Sequence, residues 1–183
     1  MKKNFLESAF FFLLLIFSCK NQYCIIKNSD FKIFLKDIPT IDLPYSTTCG
    51  LCCDTKEIEI DTSLVKKFNP DNLEIVGKLI DKEKYIGILY AGSADYLVPI
   101  LITYNSYGDV ISKRQFMQDY CGKTVDFYDN HYFNIDKQLQ IKVIDSSFVF
   151  KMDPNNIKVI DTLKKDLKFS KFEISEDGEI IKE

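Results

Sequence analysis

Two stretches of this sequence leave little freedom. "YIGILYA" spans residues 85–91 and "YLVPILITY" spans residues 96–104. Both are nearly unbroken runs of aliphatic, β-branched and aromatic residues, which is the composition of strands. Neither run alternates with polar residues, so each strand is expected to be central and covered on both faces. Pro99 sits inside the second run and has no N–H for a ladder. A bulge or a local edge is therefore expected there.

Strand-forming patterns surround this pair. "LEIVGKLI" (residues 73–80) is a further strand, and "KEIEI" (residues 56–60) alternates. Three later units run strand, polar turn, strand: "ITYNSYGDVIS" (102–112), "FNIDKQLQIKV" (133–143) and "FEISEDGEIIK" (172–182). Asn105, Asp136 and Asp177 are the expected turn formers. Their spacing is too uneven for a solenoid. "DTSLVKKF" (61–68) suits one or two helical turns capped by Asp61 or Thr62, and "NPDN" (69–72) suits a turn. Pro39 and Pro44 make residues 34–54 an irregular segment lying across the domain. The expected fold class is all-β or β-rich. It is an antiparallel meander of successive hairpins, with propeller-like blades as a variant, and at most one short helix.

The N-terminus has a different grammar. Lys2 and Lys3 precede an unbroken apolar run from Ala9 to Phe17, followed by Ser18, Cys19 and the polar "KNQ". As a helix the run would reach about 14 Å, whereas a bilayer core is about 30 Å thick. It fits the apolar region of an export signal better than a spanning helix. "LIFSC" (residues 15–19) resembles the lipobox of bacterial lipoproteins, and the opening is similar to lipoproteins common in Bacteroidota. The resemblance implies cleavage before Cys19 and lipid attached to that cysteine. Ile16 fills the aliphatic position and Ser18 the small one. The expected organisation is then a cleaved signal over residues 1–18, a tether over 19–30 and a single β-rich domain over 31–183. Two or three acyl chains anchor firmly where one binds marginally. The sequel to Cys19 lacks the acidic residues that favour surface display in related lipoproteins, so a periplasm-facing anchor is expected.

Charge narrows the partners. The chain has a formal net charge of −3 over 183 residues and an apolar fraction of 46 %, enough for one domain with a real core. Nothing draws it toward nucleic acid. The lysines of "IKVIDTLKKDLKFSKF" (157–172) are interrupted by Asp161 and Asp166, and the stretch reads as a solvated face. Glycine is scarce, with seven in the chain, which argues against a glycine-rich cofactor site. No cofactor is expected.

Five cysteines follow Cys19: Cys24, Cys49, Cys52, Cys53 and Cys121. In an oxidising compartment disulfides come first. Cys49, Cys52, Cys53 and Cys121 are the disulfide candidates. A bridge from the cluster to Cys121 closes a loop of about 70 residues, worth roughly 4 kcal/mol, against about 2 for a local Cys49–Cys52 bridge. "CGLCC" contains C-x-x-C, but it lacks the strand before it and the helix after it that tune a redox thiol. A zinc set of Cys49, Cys52, Cys121 and His131 lacks a second C-x-x-C.

His131 is the only histidine. "AGSAD" (91–95) lacks the second glycine of a nucleophile elbow, so Ser93 is no serine nucleophile. "DFYDNHYFNID" gathers Phe127, Tyr128, His131, Tyr132 and Phe133 beside Asp126, Asp129 and Asn130. Such a group can contact a glycan or peptide, or simply alternate into a sheet core. The functional expectation is a membrane-anchored binding or interaction module of the cell envelope, with a protein or peptidoglycan/glycan partner. The alternative is an envelope enzyme, either thiol-redox through Cys49 and Cys52 or a carboxylate hydrolase.

Overall fold

The two apolar runs become neighbouring strands at the centre of a sheet. The structure, a computed structural model, describes residues 24–48, 58–69, 71–82, 84–92, 98–117, 121–153, 155 and 158–183. In chain order its elements are α1 (Ser29–Lys36), β1 (Tyr45–Thr48), α2 (Thr62–Phe68), β2 (Glu74–Asp81), β3 (Ile86–Gly92), β4 (Val98–Tyr104), β5 (Val110–Gln115), β6 (Gly122–Lys123), β7 (Phe127–Ile135), β8 (Ile141–Met152), β9 (Val159–Ile174) and β10 (Ile180–Lys182). Sheet 1 has the order β2-β3-β4-β5. Sheet 2 has the order β1-β7-β8-β9-β10, with β6 also on β7. All strand pairs are antiparallel. The β-rich meander expected from sequence is present, built as two facing sheets instead of propeller blades.

Three layers result. Leu89, Ala91 and Leu101 of sheet 1 meet Phe133, Ile135, Ile141, Val143 and Phe172 of sheet 2 in one core. Ile86, Ile88, Tyr90, Ile100, Ile102 and Tyr104 face the other way, onto α1 and α2. Every residue of β3 and β4 is buried, as their unbroken apolar sequence requires. Pro99 causes no register shift between β3 and β4. It lies just beyond Ile100, where the β5 ladder ends at Gln115, so it sits at a local edge and needs no bulge.

Among the described residues there are two short helices, one more than expected. The α2 helix follows its predicted cap: the Asp61 carboxylate accepts from the Ser63 N–H at 2.7 Å. The α1 helix lies in the stretch expected to be tether and irregular segment. Its cap is Asn28, whose Oδ1 accepts from the N–H groups of Asp30 and Phe31 at 2.9 and 3.2 Å. Phe31, Phe34, Leu35 and Ile38 recur at helical spacing and are all buried. Phe31 lies 5.0 Å from Phe68 and 5.4 Å from Tyr104, ring centre to ring centre. Cys24 is also buried, and Lys27 donates its N–H to the Ser106 carbonyl. From Cys24 onward that stretch belongs to the domain.

After α1 the chain does cross the domain. Lys78 donates its N–H to the Pro39 carbonyl and accepts from Ile41 N–H, so residues 39–41 cover the edge of β2. Gly77 allows this close approach, since a Cβ there would stand 2.6 Å from Ile41 Cγ1. The chain then reaches sheet 2, where β1 pairs with β7. "KEIEI" is a correction: residues 58–60 form no strand, and Ile60 packs against the helical core.

The three predicted hairpins share one turn. Asn105, Asp136 and Ser175 each donate their N–H to the carbonyl four residues on. The residue three places on has positive φ in each: Gly108 at 88°, Leu139 at 66° and Gly178 at 92°. Asn105 and Asp136 side chains accept two backbone N–H groups each. In the third turn Ser175, not Asp177, holds the equivalent place and accepts from Glu179 N–H. Asp177 instead pairs with Lys84 at 2.7 Å.

Candidate binding face

Sheet 2 is longer than the core it covers. At sixteen residues, β9 would run about 50 Å at roughly 3.3 Å each. Residues directly opposite on paired strands share a face, so the register gives the side-chain rows across β7, β8 and β9. On the inner face Ile135, Ile141 and Phe172 form one row, and Phe133, Val143 and Ser170 the next. Then the chemistry changes. The following rows are His131, Asp145 and Lys168, then Asp129, Ser147 and Asp166. The hydrophobic core stops where these polar rows begin.

His131 sits at that boundary with 1 % exposure. Its Nδ1 lies 2.6 Å from Asp145 Oδ1, and its Nε2 lies 3.5 Å from Asp129 Oδ2. Both ring nitrogens face carboxylates, and the ring is closed to solvent. This arrangement fixes the ring and bridges β7 to β8. A general base would need a nitrogen open to substrate. Among the described residues no group of three or more His, Cys, Asp or Glu side chains is placed to hold a metal ion.

The outer face is different. Tyr132, Ile144 and Phe169 make one row; Asn130, Ser146 and Leu167 the next; Tyr128, Phe148 and Lys165 the third. Tyr128 and Phe148 lie 6.0 Å apart, ring centre to ring centre, and Phe148 stacks on Phe150 at 6.2 Å and 5°. The Lys165 amine sits 5.6 Å from the Phe148 ring centre. Phe169 is 66 % exposed, and Leu163 and Leu167 are also exposed. The aromatic group read from sequence is therefore split by strand alternation. Phe127 and His131 point inward, while Tyr128 and Tyr132 point outward.

Sequence reading missed the larger part of this face: Ile144, Phe148, Phe150, Leu167 and Phe169. The signal was present as alternation in "VIDSSFVFKM", and in the apolar–lysine alternation of "LKKDLKFSKF". The solvated reading of the second stretch holds for exposure, since residues 159–165 and 167–169 are all exposed, but it hid the strand. It is a strand whose outer edge is largely open: β10 pairs with β9 only at Phe172, Glu173 and Ile174. From Val159 to Ser170 no described strand pairs along that side.

Neither a family model, nor a curated protein, nor a solved structure matches this chain. No helix among the described residues is long and apolar enough to cross a membrane. Cys121 is buried and disulfide-bonded. Cys19, Cys49, Cys52 and Cys53 lie outside the described residues, as does Ser93.

Proposed function

We propose that this chain is a lipid-anchored lipoprotein of the bacterial envelope, facing the periplasm, that works as a binding module for a protein partner. The observation that carries the binding role is the open edge and apolar outer face of β9. An unpaired strand edge offers a row of N–H and C=O groups that another chain can complete. Phe169, Leu167 and Leu163 beside it supply apolar surface for alternate side chains of an added strand. The anchor rests on the lipobox resemblance at Cys19. The domain's first described residues come soon after that cysteine, so the anchor would hold the module near the membrane. Pairing of Cys121 with Cys49, Cys52 or Cys53 belongs to the same proposal, because it suits an oxidising compartment.

The test is affinity capture from the native envelope with the full chain and with a Leu167→Ser, Phe169→Ser variant. Both side chains are exposed, so the variant should keep its melting temperature. A partner retained by the wild type and lost by the variant is the expected result. Equal retention by both would sink the edge as the contact. In parallel, Cys19→Ala should lose lipid labelling and leave the membrane fraction.

A further inference from the structure

A second site lies on the opposite side of the fold, against α1. A cavity of about 430 Å³ opens between α1, β2 and β3. Its walls include Leu35 and Ile86, both buried, and Ile33, which is 55 % exposed. Ile26, Lys32, Lys36 and Lys78 complete the lining. Cavities of roughly 300–1,000 Å³ with mostly apolar walls and a few polar groups are the usual form of small-molecule sites.

The cations decide what such a hollow would hold. Lys32 and Lys36 are one turn apart on α1, so their charges share a face and repel. Elsewhere Lys67, Lys84, Lys113 and Lys164 each pair with an aspartate, while others such as Lys66 and Lys142 have no such pair among the described residues and do not line this cavity. Lys32 and Lys36 have no such carboxylate among the described residues. Two like charges beside an apolar hollow fit an anionic head joined to a hydrocarbon tail. An inorganic anion would leave the apolar walls without a partner, and a neutral hydrocarbon would leave the amines without one.

We propose that this cavity binds a single-chain anionic amphiphile, with its carboxylate or phosphate on Lys32 and Lys36 and its chain against Ile33, Leu35 and Ile86. The site is separate from the β9 face and does not depend on its role. It places a hydrocarbon-binding function in the helical layer, near the end of the chain that the anchor reading ties to lipid.

Calorimetric titration of the full chain bearing Cys19→Ala, with dodecanoate below its micelle concentration, tests it. Saturable one-to-one binding is expected. A Lys32→Gln, Lys36→Gln variant should bind at least tenfold more weakly with an unchanged melting temperature, since glutamine keeps helix propensity. Ile33→Asp, at an exposed position, should weaken binding comparably. Dodecyltrimethylammonium should bind far more weakly than dodecanoate. Equal affinity for the two head groups, or no change in the double-lysine variant, would overturn the proposal. So would binding to phosphatidylglycerol vesicles without binding to monomeric dodecanoate, which would mark surface attraction instead of a pocket.

Discussion

Two phenols buried between sheet 1 and the helices show how one residue can set a pH limit. Tyr90 and Tyr104 hydroxyls meet at 2.8 Å, and Tyr104 donates to the Phe68 carbonyl at 2.9 Å, closing the end of α2. Burial pushes Tyr104 up to about 12 and holds Tyr90 well above the ordinary phenol range. The fold thus favours both phenols in their neutral form. The stability this contributes is intact below about pH 10, where unfolded phenols begin to ionise, and is lost as the pH climbs toward 12. Tyr104→Phe removes one of these groups and leaves the Phe68 carbonyl unpaired. It should cost about 1–3 kcal/mol near neutral pH and lessen the further loss above pH 10. Denaturant titration at both pH values checks both signs.

At the scale of elements, the repeated five-residue turn decides where hairpins close. Gly108 has φ of 88°, and a Cβ there would come within 2.6 Å of Phe68 and 2.8 Å of Phe31. Gly108→Ala combines left-handed strain with a clash inside the aromatic cluster. It should destabilise by about 2–4 kcal/mol, the range of severe single substitutions; thermal melting reads it directly. The same turns show how far sequence reading reached. Asn105 and Asp136 were legible because a side chain that closes its own turn leaves a local signature. Ser175 was overlooked beside Asp177 because hydroxyl and carboxylate compete for the same role. The α1 helix carried helical spacing at Phe31, Phe34, Leu35 and Ile38, but Pro39 and Pro44 just beyond its end masked that spacing with the pattern of extended chain. "KEIEI" alternated like a strand, yet no described strand pairs with residues 58–60. The candidate face on sheet 2 was only half legible. Tyr128 and Tyr132 stand in an aromatic cluster, whereas Phe169 gains its meaning from Ile144 and Tyr132 across the sheet, a register that no local pattern prints.

At the scale of the whole molecule, burial is uneven because the layers differ in extent. The central strands of sheet 1, β3 and β4, are covered on both faces, whereas the far part of sheet 2 extends past the core with both faces partly wet. Protection against hydrogen exchange should follow this gradient. Amides of β3 and β4 are expected to exchange only with global unfolding. Amides of Val159–Ser170 should exchange much faster, and their protection should rise when a partner binds. Mass-spectrometric exchange resolves the two regions; equal protection in both would contradict the layered account.

The strap over β2 has a consequence for assembly. Residues 39–41 seal one margin of sheet 1, and β10 caps only the final residues of β9. Among the described strands this leaves a long margin along residues 159–170 of β9, with shorter ones at the six-residue β5 and the four-residue β1. Growth into a filament needs two compatible margins on every subunit, so that each arrival presents a fresh docking site for the next. Here the open margins are unequal, so a strand added along β9 is not followed by a margin of like length at β5 or β1. The inequality of the margins works against open-ended growth, because a guest on β9 would bring no matching margin for another.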